Sequence, residues 1–492
     1  MLSSASRCLA VASVLSLGSI QSWAQATPSG GTGRATPYVI NPSQGSAALQ
    51  QQNPYSGSVP AGKATPDVLP LSLKEAIDRG LKQNLGLLLT GEGIPSARGQ
   101  YWKDLSELLP NVTTSTSFTA EQINLKTVGL NVQGLRALGV NINPVVGPFG
   151  VFDTRAFLTQ SIFNWQAIQQ TRSSAQQIKA AQFSFKDARE LVVFAVASAY
   201  LQTIADAARV DTSTAQRDTA QALYKQAADQ LQAGTTAAID TLRAKVELQT
   251  REQQLIAARN DFAKQKIALG RAIGLPTGQE FTLADNPTYD PQPTISLEDA
   301  LRRAYASRAD YQSALAQVRA ATLARKAAVA RYYPSVSTAV NYGDIGVNPG
   351  NSHGTLDATA ALNIPIFQGG KVHGEVLQAE AALRQSEEML DNLRAQIDQD
   401  VRNALLDLQS AADLVEVARS SVDLAGQTLQ QARDRFAAGV ADNIEVVQAQ
   451  QSVASANESL ISSLYSYNVS KVSLARAVGH AEAGVQEYLK GK

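Results

Sequence analysis

The stretch from residue 166 to residue 233 contains neither proline nor glycine. Proline is absent between Pro148 and Pro276, and it does not occur after Pro365. Because these two residues most often interrupt helices, the stretch predicts one continuous helix of about 100 Å, at 1.5 Å per residue. Typical globular helices are far shorter. A helix of this length needs a coiled coil or a bundle to bury its apolar stripe.

The chain repeats itself at an offset of 205 residues. The segment DQLQAGTTAAIDTLRAKVEL, which starts at Asp229, resembles DRFAAGVADNIEVVQAQQSV, which starts at Asp434. Apolar residues then follow at a spacing of seven in both copies: Leu248, Leu255, Phe262 and Leu269 in the first, and Val453, Leu460, Tyr467 and Leu474 in the second. A sustained seven-residue repeat favours left-handed supercoiling against a neighbouring helix.

Earlier segments repeat as well. Ser72 and Ser296 each precede an apolar residue and a pair of charged residues that include an acid, which is typical of a capped helix start. Pro110-Asn111-Val112 resembles Pro334-Ser335-Val336, at the start of a segment with a period of two. The chain is therefore a tandem duplication of one unit: helix, β-hairpin, very long helix, glycine-marked turn and long helix.

The N-terminus predicts export. Arg7 precedes an apolar run from Cys8 to Ile20, and the small residues at 22–26 fit a cleavage site, which is the pattern of a secretory signal peptide rather than of a buried N-terminal helix. Cys8 is the single cysteine, so the mature chain would have neither a thiol nor a lipid anchor. Apart from this segment, no run of eighteen apolar residues occurs, so the sequence predicts no transmembrane helix.

These patterns give approximate boundaries. We predict a signal peptide at 1–26, a flexible leader rich in Pro, Gly, Ser and Gln at 27–70, a first repeat at 71–285 and a second repeat at 286–492. In the first repeat we predict a hairpin at 111–163, a long helix at 164–233 and a helix at 238–274 after the turn. In the second repeat we predict helices at 296–332, 370–438 and 442–479, with a hairpin at 335–367.

The hairpins alternate apolar and polar residues in strands of roughly ten residues, the length of a membrane β-strand. The alternation is clearest at Leu356, Ala358, Ala360, Leu362, Ile364 and Ile366. Alternation alone would favour a soluble sandwich with one face buried, but export, the presence of only four strands and the very long helices favour the membrane. Four strands cannot close a barrel, since about eight is the small end. Several chains would therefore share one barrel.

The duplicated order of elements resembles the TolC-like outer membrane factor family of bacterial efflux and secretion systems, over about residues 71–479. The residues that show it are Pro110 and Pro334 before a strand, the stretch Pro365-Ile-Phe-Gln-Gly-Gly370, and the turns Ala233–Asp240 and Ala438–Glu445. The resemblance implies a mainly α protein with a membrane β portion. Three chains would share a 12-stranded barrel in the outer membrane, continued by a long periplasmic α-helical coiled-coil barrel.

The same resemblance implies a function and partners. The chain would be a passive outer membrane exit duct of a tripartite efflux or type I secretion system, gated at its periplasmic tip when an adaptor docks. Its partners would be two further copies of itself, a periplasmic adaptor (membrane fusion) protein, an inner-membrane pump and outer membrane lipid. The alternative is a soluble periplasmic coiled-coil adaptor or scaffold.

Two features depart from the family. The first helix region, from Asn84 to Gln100, contains Gly86, Gly91, Gly93, Pro95 and Gly99, whereas the corresponding region of the second repeat, 306–332, is free of both residues. At the second turn the family often has a basic residue a few positions after the glycine, where this chain has Ala441.

Acidic residues follow the two turns, and we consider them candidates for a gate or constriction. Asp240 and Glu445 occupy equivalent places, Asp442 lies within the second turn, and Gln448 stands where some relatives have a second acid. A ring of carboxylates would narrow the pore and favour cations. The alternative is ordinary acids in a first helical turn, which the helix dipole favours.

Glycines mark the turns themselves. Gly234 and Gly439 would supply left-handed φ for an interhelical turn, and the resemblance adds a part in the adaptor contact. Asp153 and Asp357 would face the lumen of the barrel if the apolar residues of the hairpins face lipid.

No motif supports catalysis. The three histidines, His353, His373 and His480, are scattered without a Cys or Met cluster, so we expect no metal site, no cofactor and no enzyme activity. The 43 basic and 43 acidic residues balance, which gives no footprint for nucleic acid.

Extraction separates the two main hypotheses. A lipid-facing barrel predicts that the mature protein stays with the outer membrane through salt and alkaline washes and is released by detergent. Release without detergent would favour the soluble scaffold. Immunoblotting of the washed and extracted fractions measures the distribution.

Overall fold

The structure is a computed structural model that describes residues 55–482 and 484, with gaps at 56, 128, 130–142, 235–236, 286–294, 439, 441–442 and 483. The predicted signal peptide and the leader up to residue 54 lie outside the described residues. So do Gly439 and Asp442 of the second turn.

The described elements follow the duplicated order. The helices are α1 (Leu73–Gln83), α2 (Leu85–Gly91), α3 (Gly93–Ser106), α4 (Trp165–Gln232), α5 (Ala238–Ala272), α6 (Leu297–Ser307), α7 (Ala309–Val329), α8 (Lys371–Ala437) and α9 (Asn443–Ala477), with short 3-10 helices at Ala330–Tyr332 and Pro349–Asn351. The strands are β1 (Leu69–Leu71), β2 (Asn111–Asn124), β3 (Val145–Phe163), β4 (Phe281–Leu283), β5 (Ser335–Gly346) and β6 (Ser352–Asn363).

The two long helices, α4 with 68 residues and α8 with 67, extend from the sheet to the interhelical turns. Shorter helices pack beside them in two tiers. Near the turns the helices lie side by side in the order α5, α4, α9, α8, and near the sheet the order is α3, α4, α7, α8. Each tier is therefore a layer of helices with two open edges.

A belt of short elements surrounds the middle of α4. Strands β1 and β4 pair in parallel, and α1 packs its buried Ile77 against Val192 and Val196 of α4. The hydroxyl of Tyr200 donates to the carbonyl oxygen of Leu71 at 2.9 Å, which ties strand β1 to α4. Here the apolar core is widest, because several elements meet on one helix.

The helix starts confirm the predicted caps. The hydroxyl of Ser72 accepts the backbone N–H of Glu75 at 3.3 Å, and the Glu75 carboxylate accepts the N–H of Ser72 at 3.0 Å, which completes a capping box. In the second repeat Ser296 accepts the backbone N–H of Asp299 at 3.2 Å.

The end of the leader differs from the prediction of a flexible segment at 27–70, because residues 57–70 are ordered on the belt. The N–H of Ser58 donates to the carbonyl of Arg271 at 3.1 Å, and that of Val59 donates to Gln83 at 2.8 Å. Thr65 donates its N–H to Gln279 Oε1 at 2.8 Å. Composition predicted disorder because few side chains there are apolar, whereas backbone hydrogen bonds, which composition does not encode, hold this segment.

The continuous helix predicted at 296–332 is wrong, because the chain breaks between α6 and α7. Arg308 adopts φ −60° and ψ 122°, an extended conformation. Its guanidinium donates to Asp310 at 2.7 Å and to Asp400 of α8 at 3.0 Å. In the first repeat Asn84 makes the corresponding break, with φ −64° and ψ 125°. Both repeats therefore bend at the belt, by a charged side chain in one and by an Asn cap in the other.

One described helix, α4, contains an 18-residue window with a mean hydropathy of 1.6, which by length and composition would suffice to cross a bilayer; 44% of that window is buried. The sequence predicted no transmembrane helix because polar residues interrupt this apolar segment, whereas its average over 18 residues is apolar enough for a span. The belt accounts for this apolar segment, since Val192, Val193 and Val196 are fully buried against its other elements.

Four strands form an antiparallel sheet in the order β2-β3-β5-β6. The inner strands of the two hairpins pair with one another, for example Leu158 with Val340. Strand β2 has 14 residues and β3 has 19, so both are longer than the roughly ten residues predicted from the sequence. Strands β2 and β6 have no partner on their outer sides within the described part of the chain.

Gly80 provides a test of the belt. A Cβ at this position would lie 2.7 Å from Cγ2 of the buried Val196, so Gly80→Ala overpacks the α1–α4 contact. We expect a loss of about 1–3 kcal/mol in the free energy of unfolding, seen as a lower melting temperature by circular dichroism in detergent. In the matched variant Gly270→Ala, the new Cβ meets Leu275 at an ordinary 3.9 Å, so melting should not fall. Equal melting temperatures for the two variants would contradict this packing.

Candidate functional site

The two faces of the four-stranded sheet differ in polarity. Cross-strand register assigns these residues to one face: Val112, Phe118, Phe152, Leu158, Val340, Tyr342, Leu356 and Leu362. It assigns these to the other: Thr113, Ser115, Ser117, Asp153, Arg155, Asn341, Thr355, Asp357 and Thr359. On the apolar face Phe118 is 66% exposed and Leu356 is 70% exposed. Contiguous exposed apolar surface of this kind marks a contact with lipid or protein.

The predicted lumen residues Asp153 and Asp357 both lie on the polar face. The guanidinium of Arg155 donates to both carboxylate oxygens of Asp153, at 2.7 and 2.5 Å. Asp357 accepts a hydrogen bond from the hydroxyl of Thr359 at 3.2 Å. Sequence reasoning missed Arg155, although it stands two residues after Asp153 and therefore on the same face of the strand.

Gly234 makes the first interhelical turn. Its φ is +72°, the left-handed region that glycine adopts without a steric penalty, and a Cβ there would meet no atom within 4 Å. Its N–H donates to the carbonyl of Leu231 at 3.0 Å, closing the end of α4. Across the turn, the hydroxyl of Thr241 in α5 donates to the Ala227 carbonyl in α4 at 3.2 Å.

The second turn joins α8 to α9. The N–H of Val440 donates to the carbonyl of Arg435 at 3.0 Å, so the chain closes the end of α8 before it reverses. Behind the turn Val446 is fully buried with Ala432 and Ala449, and Leu223 of α4 packs against this cluster. The two turns therefore belong to one packed end of the bundle, which we call the tip.

Two of the candidate acids at the tip, Asp240 and Glu445, each have an arginine beside them. The carboxylate of Asp240 lies 3.3 Å from the guanidinium of Arg243 on the same helix, and its side chain is 19% exposed. Glu445 lies 3.3 Å from Arg435, the last arginine of α8, with 43% of its side chain exposed. Gln448 is exposed on α9. The arginines reduce the net negative charge that the acids alone would give the tip.

A buried arginine above the tip joins three helices. Arg251 of α5 is 3% exposed and donates to Glu247 Oε1 at 2.7 Å on its own helix. It also donates to Gln216 of α4 at 3.3 Å and to Gln451 of α9 at 2.8 Å. Arg251 thus links the α4–α5 pair to the α8–α9 pair.

The signal for this residue was present in the sequence. Arg251 lies three residues after Leu248 and four before Leu255, and so in the seam of the seven-residue repeat, where an apolar residue is expected. The equivalent position of the second repeat is Ala456, which is buried. A charged residue in one copy of the seam and alanine in the other indicates a specific partner.

A second charged link crosses the same boundary nearer the belt. Arg209 of α4 donates through Nε to Glu458 of α9 at 2.9 Å and through Nη1 to Asp206 at 2.7 Å. Between the two links the helices form an open cavity of about 230 Å³ with a mixed lining, which includes Gln216, Arg251 and Asn457 as well as Leu429 and Val453. The boundary between the two helical pairs is therefore partly polar.

Among the described residues no group of three or more His, Cys, Asp or Glu side chains is arranged to hold a metal ion.

The sequence profile of the outer membrane efflux protein family matches this chain at residues 93–275 and 300–480, once in each repeat. The chain belongs to the outer membrane efflux protein family. It is 23% identical over 427 residues to the probable efflux pump outer membrane protein TtgC of Pseudomonas putida, covering 83% of both chains. It is 22% identical over 340 residues to the outer membrane protein TolC of Escherichia coli, covering 65% of this chain and 68% of TolC.

Solved structures show the same fold. The outer membrane channel CmeC of Campylobacter jejuni superposes with a TM-score of 0.72 at 18% identity, over 89% of this chain and 94% of CmeC. The fold is therefore TolC-like, as the duplicated order predicted. Membership of this family places the protein in the outer membrane with a large periplasmic portion, which excludes the soluble scaffold. Its relatives are channel proteins rather than enzymes.

Arg251 can be tested against an exposed arginine of the same helix. Arg251→Met keeps the buried stem of the side chain but removes the donor to Glu247 and Gln451. The helices near the tip should therefore lose about 2 kcal/mol or more of local stability. Hydrogen exchange of α5 and α9 near these residues should become faster. In Arg243→Met an exposed pair is lost, which is worth less than about 1 kcal/mol. Unchanged exchange in Arg251→Met would show that the link does not hold the helical pairs together.

Proposed function

We propose that three copies of this chain assemble into one continuous exit duct of a tripartite efflux system, with a shared 12-stranded barrel in the outer membrane and a helical barrel in the periplasm. The observation that supports it is that one chain has open edges at both levels, in the sheet and in the helical layers. Neither edge is complete without another copy.

The sheet supplies the first part of the argument. Its apolar face is exposed, and the outer sides of β2 and β6 present unpaired N–H and C=O groups in the described chain. In lipid each unpaired backbone group would cost several kcal/mol, so the sheet must close. Pairing β6 of one copy with β2 of the next satisfies both edges, and three copies of four strands give a closed ring.

The helical layers supply the second part. Helix α5 at one edge exposes Leu242 (59%) and Val246 (62%) beyond its contacts with α4. Helix α8 at the other edge exposes a stripe that includes Val417 (63%) and Leu424 (60%). A cyclic assembly brings α5 of one copy against α8 of the next, so each stripe buries the other. The same three-fold closure therefore satisfies the sheet and the helices.

We further propose that the tip is the gate. Opening would move the α8–α9 pair relative to the α4–α5 pair, and this movement must separate Arg251 from Gln451. Three copies of Asp240 and Glu445, with their arginines, would surround the narrowest part of the duct. An adaptor protein docking at the turns marked by Gly234 and Gly439, together with an inner-membrane pump, would supply the energy, and the duct itself is passive.

The oligomeric state tests the duct. We expect the protein purified in detergent to have the mass of a trimer by light scattering, and to conduct ions across a planar bilayer. Val417→Asp places a charge in the α8 stripe and should reduce the trimer fraction, because an unpaired charge would be buried on assembly.

The matched variant Gln427→Asp adds the same charge at an exposed polar position of α8 and should leave the mass unchanged. A monomeric wild-type protein, or a trimer without conductance, would contradict the duct.

A further inference from the structure

The polar face of the sheet contains a second charged constellation, distant along the chain from the tip acids. Arg155 is held in a two-point ion pair with Asp153, with only 25% and 23% of their side chains exposed. Its third nitrogen, Nη1, lies 3.4 Å from Oδ1 of Asn341 on the adjacent strand. The guanidinium carbon also lies 5.3 Å from the centre of the Phe157 ring. The arginine therefore lies along the wall of the sheet.

The neighbouring strand leaves room for this position. Gly343 is the register partner of Arg155, and a Cβ at Gly343 would lie 2.6 Å from Cα and 3.0 Å from Cγ of Arg155. The same Cβ would clash with the carbonyl oxygen of Thr154, so a side chain at this point would separate β5 from the β3 backbone as well as displace the arginine. The glycine therefore allows the guanidinium to cross the strand towards Asn341, whose partner on the next strand is Asp357.

The charges of the sheet are unequal. Strands β2, β3, β5 and β6 contain four acidic residues, one arginine and no lysine. Register places three of these acids, Glu121, Asp153 and Asp357, on the polar face with Arg155, and the fourth, Asp344, on the apolar face. Arg155 is thus the single fixed cation of these strands, and Asp153 both cancels its charge and restrains its position. Asp357, two strands away, is an exposed carboxylate on the same face.

We infer that the Asp153–Arg155 pair sets the ion selectivity of the β-barrel section, with Asp153 as a positioning residue that keeps Arg155 against the wall and out of the lumen. In the closed ring the pair would occur three times at one level. With the arginines restrained, the lumen keeps its excess of acids and favours cations. The inference rests on the proposed duct and adds a selectivity section separate from the tip.

Two variants with the same change in formal charge separate this inference from simple charge counting. Asp153→Asn and Asp357→Asn each remove one carboxylate per chain, but only the first releases Arg155. In both variants, the reversal potential measured in a KCl gradient across a planar bilayer should shift in the direction of lower cation selectivity. The shift should be larger in Asp153→Asn, and its single-channel conductance should fall, because free arginine side chains enter the lumen.

The double variant Asp153→Asn/Arg155→Gln completes the test, since it removes the released cation. It should return the conductance to the wild-type value and remove the part of the reversal-potential shift by which Asp153→Asn exceeds Asp357→Asn. Each variant is first shown to be trimeric in detergent. Equal shifts in Asp153→Asn and Asp357→Asn, without rescue by Arg155→Gln, would overturn the inference while leaving the duct intact. No current through the wild-type trimer would overturn the duct itself.

Discussion

The requirement that every backbone polar group be paired away from water governs this structure. Four strands with an exposed apolar face leave two edges that a lipid environment cannot satisfy. A soluble protein can blunt such edges with charge or water, whereas a membrane sheet has to close on itself or on other copies. The threefold ring that we propose follows from this constraint. The edge helices α5 and α8 fit the same ring because their apolar stripes lie at the two open edges of the helical layer of each chain.

The duplication explains why the two halves look alike, and its exceptions mark places with individual roles. At the belt, Asn84 and Arg308 make the same break by different means, a side-chain cap in one repeat and an ion pair to α8 in the other. In the tip-side half, Arg251 replaces the alanine that the second repeat has at Ala456. Tandem copies begin with identical seams, so a polar residue in only one of them stands out against the other.

The chain combines two kinds of contact between helices. Within each pair the seams follow the seven-residue repeat and are mostly apolar, with Arg251 as the exception, which favours permanent packing. Between the pairs, near the tip, charged and amide side chains meet beside a cavity of mixed lining. Hydrogen bonds of this kind fix one relative position of the pairs, yet their groups can exchange for water when the pairs separate. This division suits the gate that we propose, in which whole pairs move and each pair stays intact.

The sequence by itself determined the long helices, the hairpins and the duplicated order, because proline placement and periods of seven and two are local properties of the chain. It also indicated the faces of the strands, so Asp153 and Asp357 could be assigned to the polar side in advance. Only the tertiary structure decided that residues 57–70 pack on the belt, that the second repeat bends at Arg308, and that Arg251 donates to Gln451 of α9. These features depend on contacts between residues far apart in the chain, which no local pattern encodes.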